Sequence, residues 1–381
     1  MQSPKLEARP SRRGPGSIIA GVILTLIIAL PVIMAVSAAI YYILGPAEGY
    51  LHADCSDSLY WANASYESGK VFDPTFRYAA LLPFSAQLWM TPLVAIFGFT
   101  MKAQNIGMII FVLVFCASLW YFCRRAEMSV GWCTLSVGIT LMVLCSSDKL
   151  REIMLGHVIY YSLGLVLFFL MAGLCLSVTK RGGELLSSSD EKKPVSRRVL
   201  FGLTVLALLV ASAGSATDGT QMLVLATLPA LGGVAAERFF SGKCRLFSRE
   251  NIPVGMALLS VLAGTLLGTV VLKLMTRGGI SAEKYTGVYS AYQNSSKWQD
   301  SFHSFFKSYC DLLGITARDV DPLMDATSLG IIIRIAVAVT LLVLPAAMLL
   351  LYRKLCYRGT RVMLWGHIIL SAGLMFGFVC G

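Results

Sequence analysis

The residues best suited to chemistry stand in one short stretch, His52-Ala-Asp54-Cys55-Ser-Asp57, which brings an imidazole and two carboxylates close together along the chain. A carboxylate held beside a hydroxyl takes its proton, which is general-base catalysis. Asp57, or Ser58 beside it, equally suits the cap of a short helix that Leu59, Ala62 and Tyr66 outline and Gly69 ends. Beyond it, Phe72-Asp73-Pro74 reads as an extended turn. His52 and Asp54, joined by Glu152 or His157, form the donor set of a divalent metal, magnesium or manganese, or of a site that activates a hydroxyl. The plainer alternative is that polar residues simply populate a solvated loop.

The elements that must position these groups are membrane helices. The chain is 56% hydrophobic and only 14% charged, and its mean hydropathy is +0.70. Apolar runs long enough to cross about 30 Å of hydrocarbon recur along it. Lipid offers no partner to backbone N–H and C=O groups, so such runs are helices. The net charge of +11 is dispersed over short loops, a pattern of membrane topology and not of nucleic-acid binding. The expectation is an all-α polytopic bundle of about nine spans: Ser17–Leu44, Asn105–Cys123, Ser129–Cys145, Val158–Val178, Val199–Ala213, Gln221–Ala236, Val254–Met275, Ser328–Tyr352 and Val362–Val379.

Leu81–Phe99 is apolar but broken by Pro83, Gln87 and Pro92 and ended by Gly98. If it crossed, every later loop would change sides. If it lies in the interface as a re-entrant helix, the cytoplasmic segments collect 20 of the 32 Lys and Arg. The positive-inside rule selects that second arrangement, with the N-terminus inside. The chain then divides into a cytoplasmic arm (1–16), a membrane module (17–275) with an outer loop at 45–104, an outer segment with amphipathic helices (276–327), and C-terminal spans (328–381). The abrupt end at Gly381, without a tail, fits a truncated chain. Of the ten cysteines, only Cys55 and Cys310 fall in long outer segments, where an oxidising compartment permits a disulfide.

One span, an outer loop of form Asp-x-x-Asp-x-x-x-Trp-Ala…Gly, a Leu-Pro…Pro-Leu-x-x-x-x-Phe-Gly helix and a span closing on Arg124-Arg125 follow one another. This order resembles the N-terminal module of the integral-membrane glycosyltransferase C superfamily, in particular the family 39/83 and aminoarabinose-transferase-like branch. The resemblance covers Ser17 to about Val178, with a looser match to Met275. It implies a sugar moved from a polyprenyl-phosphate donor to a glycan, lipid or protein acceptor on the outer face of a bacterial cell membrane. The family's acidic pair is contiguous, whereas Cys55 and Ser56 separate the two acids here. The catalytic place therefore falls to Asp54 or Asp57, with Asp54 preferred. In Ser146–His157, Glu152 matches the family's second acid, and His157 stands where an Asp is more usual. A donor phosphate calls for cations, and Lys149, Arg151, Lys273, Arg277 and Arg334 all map outside or near an outer boundary. Arg334 lies inside the eighth expected span, either as a phosphate ligand or snorkelling to the interface. Aromatics of the 276–327 segment, Trp298, Phe302, Phe305 and Phe306 among them, stack on sugars or anchor interfacial helices.

Transport, including flipping of a lipid-linked substrate, is the rival function. It is disfavoured because the spans are nearly free of acids and show no matched pair of interrupted helices. A lipid-modifying or polymer-ligating enzyme of another fold would use the same face.

Overall fold

The computed structural model describes residues 15–49, 51–84, 86–156, 161–187, 195–241, 251–277, 279–282, 294–315 and 326–380. Helix α1 (Pro15–Leu44) leads through the one-turn α2 (Pro46–Gly49) to α3 (Ala53–Ser68), strand β1 (Arg77–Tyr78) and α4 (Gln87–Phe97). Then come α5 (Met101–Arg125), α6 (Val130–Leu144) and α7 (Asp148–Arg151), which runs on into a π-helical turn at Glu152–Gly156. Next are α8 (Tyr161–Ser187), α9 (Val195–Thr217), α10 (Thr220–Met222), a second π turn at Leu223–Thr227, α11 (Leu228–Phe240) and α12 (Ile252–Met275). Strand β2 (Ser281–Ala282), α13 (Trp298–Leu312), α14 (Ala326–Leu350) and α15 (Arg358–Cys380) complete the order.

Among the described residues seven helices are long and apolar enough to cross a membrane, or eight if α6 and the Asp148–Gly156 segment, bent from it by 113°, form one span. The chain is thus a multi-pass membrane protein with fewer clear spans than the nine expected. The difference lies in α6 and α15. At 15 residues, α6 reaches only about 22 Å at 1.5 Å per residue. The 23-residue α15 does form where the ninth span was expected, with Arg358 and Arg361 in its first turn. The Leu81–Phe99 segment condenses to the 11 residues of α4, about 16 Å, too short to cross. Gly98 ends it in a left-handed conformation (φ 73°).

α8 is the hub: 78% of its apolar window is buried, against 6% for α14. The main core joins α1, α5, α6, α8 and α11, with Phe115, Phe122, Phe168 and Phe169 meeting edge to face or tilted. Where no water drives association, small residues let helix backbones close in. On α12, Ser260, Gly264 and Gly268 recur at every fourth position and are buried. A side chain at Gly264 or Gly268 would strike the carbonyls of Leu209 and Ala213 on α9. On α11, a Cβ at Gly233 would lie 2.7 Å from the Val362 carbonyl of α15.

Contacts between loops fall into two sets, one at each end of the bundle. At one end β1 pairs in parallel with β2, Arg77 opposite Ser281 and Tyr78 opposite Ala282. There the Phe84 N–H also donates to Asp218 Oδ1 at 2.8 Å, and Ser147 Oγ donates to the Leu312 carbonyl. Asp218, read from sequence as a turn residue, is 1% exposed and ties the first loop to the α9–α10 turn. At the opposite end Lys180 pairs with Glu127, and Arg358 and Arg361 with Glu237. The first set joins segments expected outside, and the second joins segments expected inside.

Candidate functional site

At the first of these ends, α3 begins at Ala53, behind an extended His52 whose side chain makes no cap bond. Asp57 therefore lies within the helix and is not its N-cap, which removes the capping role. The helix ends as expected at Gly69 (φ 66°). Asp73 then closes its turn by accepting from the Thr75 N–H and hydroxyl, both at 2.8 Å. Asp54 stands in the first turn of α3, where a negative charge meets the positive end of the helix dipole, and its side chain is exposed. Asp57, three residues on, shares that face and is half-buried. Burial, and then the charge of Asp54, push the Asp57 carboxyl up to about 6.

Across from α3 stands the segment that leaves α6. Ser147 caps α7 by accepting from the Leu150 N–H at 3.1 Å. One turn later the Glu152 carboxylate takes two partners on one oxygen, Oε1: Lys149 Nζ at 2.7 Å and His52 Nε2 at 3.1 Å. Burial draws the Glu152 carboxyl up, but Lys149 and His52 together outweigh it and hold it below the usual range. Arg151 turns the other way. It donates to the Cys145 carbonyl at 2.7 Å, pairs with Asp148 and lies over the Tyr42 ring.

Gln104, on α5, joins the two segments by donating from Nε2 to the carbonyls of Cys55 (3.0 Å) and Gly156 (3.3 Å). Behind the His52–Glu152 pair a cavity lined by Tyr42, Leu51, Cys55, Gln104, Glu152 and Gly156 has room for about one water molecule, about 10 Å³. A sugar does not fit inside it. A substrate must meet this cluster from its open side.

No family model, no curated protein and no solved structure matches the chain significantly. The site therefore rests on its own geometry.

The structure brings His52 together with Lys149 and Glu152 from segments far apart in sequence, while Asp54 and Asp57 stand on the first turns of α3 and Arg151 turns away to Asp148 and the Cys145 carbonyl. His157 lies outside the described residues. Arg277 is exposed just past α12 and belongs to the β2 side, apart from the His52–Glu152 pair. Arg334 does reach the loops expected outside, but its Nη1 donates to the Gly314 carbonyl at 2.8 Å, so a backbone group takes the place expected for a phosphate.

Of the donor set expected for a divalent metal at His52, His157 lies outside the described residues. Among the described residues no three His, Cys, Asp or Glu side chains are grouped to hold an ion. The Lys149 ammonium at Glu152 Oε1 sets a positive charge where the ion would need to approach. Cys55 and Cys310 are both free. Cys55 faces Gly156, where an added Cβ would be 3.3 Å from its sulfur, and burial pushes its thiol up, away from nucleophilic use. Sequence reasoning passed over Ser147 and Gln104. The Ser-x-x-Leu capping spacing of Ser147 was the one available signal.

Proposed function

We propose that the chain is a membrane-embedded glycosyltransferase that moves a sugar from a polyprenyl-phosphate donor to a hydroxyl acceptor at the outer end of the bundle, with Asp57 as general base. The observation that carries this reading is the Asp57 carboxyl, half-buried beside Asp54 and raised to about 6. A base titrating near neutral pH combines ionisation with proton affinity better than an ordinary carboxylate. Asp57 takes the proton of the acceptor hydroxyl. The oxygen bonds to the anomeric carbon, and the polyprenyl phosphate leaves with the bonding pair. Lys149, whose side chain is 54% exposed, supplies positive charge to that leaving phosphate. The preference for Asp54 thus passes to Asp57, since Asp54 is exposed while Asp57 sits in the partly dehydrated position a base needs.

A second reading draws on the broken helices. The 113° bend after α6 and the π turns at Glu152–Gly156 and Leu223–Thr227, both packed on α8, are the kind of interruption that transporters use. One experiment separates the two. The protein is reconstituted in liposomes with a radiolabelled polyprenyl-phosphate hexose, and both transfer and transbilayer movement are followed. We expect transfer by the wild type, a 10²–10⁴-fold loss in Asp57→Asn and a smaller loss in Asp54→Asn. Lipid movement without transfer would give the protein to the transporter class. Full transfer by both folded Asn variants would remove the loop from the active site.

A further inference from the structure

Among the described residues the 276–327 segment meets the turn that carries Lys149 and Glu152 at the C-terminus of α13. There the chain turns through Gly314 (φ 67°), and two side chains from other elements hold its end. Ser147 Oγ donates to the Leu312 carbonyl, and Arg334, from α14, donates to the Gly314 carbonyl at 2.8 Å. The turn is closely fitted: a Cβ at Gly314 would lie 3.0 Å from Arg334 Nη1 and 3.2 Å from Ser147 Cβ. Beneath it Leu150, Leu313 and Ala338 form a small buried cluster, one residue from each of α7, the α13 turn and α14. Tyr309 adds a hydrogen bond to the Ala338 carbonyl at 2.9 Å.

The Ser147 hydroxyl has a double task. It accepts from the Leu150 N–H and so starts the α7 turn, while its own proton goes to α13. It is 3% exposed, so water does not compete for either bond. Lys149 and Glu152 stand on the turn that this hydroxyl starts.

We infer that Ser147 and Arg334 form a latch through which α13 and α14 hold the Lys149–Glu152 turn in register with α3, making both of them positioning residues for the outer site. The functional part of this inference rests on the transferase reading. The latch itself is tested without substrate.

The test is hydrogen–deuterium exchange of the full chain in nanodiscs, read at residues 148–156 and at 309–315. A cap that served α7 alone would, on removal, quicken exchange at 148–156 only. A latch couples the two. In Ser147→Ala we expect roughly fivefold faster exchange in both segments, the change that loss of one helix cap gives. Ser147→Thr, which keeps the hydroxyl, should restore both rates. Arg334→Gln, which removes the bond to the Gly314 carbonyl and leaves the Ser147 cap of α7 in place, should quicken 148–156 as well as 309–315, and Arg334→Lys should recover most of the protection. Unchanged exchange at 148–156 in Arg334→Gln, or at 309–315 in Ser147→Ala, would overturn the latch. If the latch holds but Ser147→Ala transfers at the wild-type rate while Asp57→Asn does not, the positioning role falls and the transferase reading survives.

Discussion

The end of the bundle expected inside and the end expected outside each hold a glutamate between two basic side chains, and the two glutamates are treated oppositely. At the inner end the Glu237 side chain is 4% exposed, with Arg358 and Arg361 at 28% and 22%. Both of its oxygens are used: Arg358 Nε meets Oε2 at 2.9 Å, while Arg361 and the Ser241 hydroxyl meet Oε1. Arg358 also reaches the Thr179 hydroxyl at 3.0 Å, which fastens α15 to α11 and α8. At the outer end Glu152 is 22% exposed, its partners Lys149 and His52 are 54% and 40% exposed, and both meet the same oxygen. A buried charge is tolerable only when its hydrogen bonds are complete. The inner cluster comes near that demand, with both Glu237 oxygens used and Arg358 Nη2 buried without a partner, and is a clamp. The outer cluster is open to water, and in the proposed transferase one of its partners is free to give way to a substrate group.

The sharpest way to break this contrast is to remove the inner acid. Glu237→Ala leaves two guanidinium groups half-enclosed with no counter-charge, and we expect a loss of about 3–5 kcal/mol, measured by denaturant unfolding in detergent. A loss below about 1 kcal/mol would erase the distinction between clamp and site.

Asp57→Asn should act in the opposite direction. A carboxyl raised from 3.8 to about 6 binds its proton more tightly in the folded chain than in the unfolded one. That stability is fully present below the unfolded value and is lost as pH rises through about 6. The Asn variant should therefore be more stable than wild type at pH 7 and equal to it at pH 4. Because the group is half exposed, solvent screening keeps the gain to about 1 kcal/mol or less. Thermal melts at the two pH values decide it, and a variant less stable at pH 7 would mean that Asp57 serves the fold.

Glu152→Gln should do least, between about 0 and 1 kcal/mol, as expected of an exposed pair. The difference should shrink further in high salt. A loss as large as that of Glu237→Ala would make the outer cluster a second clamp.

What could be read from the sequence follows from how far its causes reach along the chain. Gly69, Gly98 and the Asp73 turn were legible because each acts on its own neighbours. The non-spanning nature of α4 was legible from its prolines and from the charge of later loops. The start of α3 was not: Leu59, Ala62 and Tyr66 mark its apolar face, but no side-chain cap announces Ala53. The Ser260, Gly264 and Gly268 stripe was visible, yet only the carbonyls of α9 explain it. Glu237 stands 121 residues from Arg358 and Ser147 stands 165 from Leu312, so neither contact leaves a local trace. Arg334 shows the limit most plainly. Its place within an apolar helix marked it as unusual, but the partner it found was a backbone carbonyl.

The most direct test of the claim that the outer end works while the inner end holds is the pH dependence of hexose transfer in wild type and in Asp54→Asn. If Asp57 is the base, transfer needs its ionised form, so the rate should fall on acidification with a midpoint near the value of about 6. Removing the charge of Asp54 removes one of the two causes that raise Asp57, so the midpoint should move to lower pH in the variant. A wild-type midpoint near 4, or a midpoint that stays in place when Asp54 is neutralised, would contradict the account.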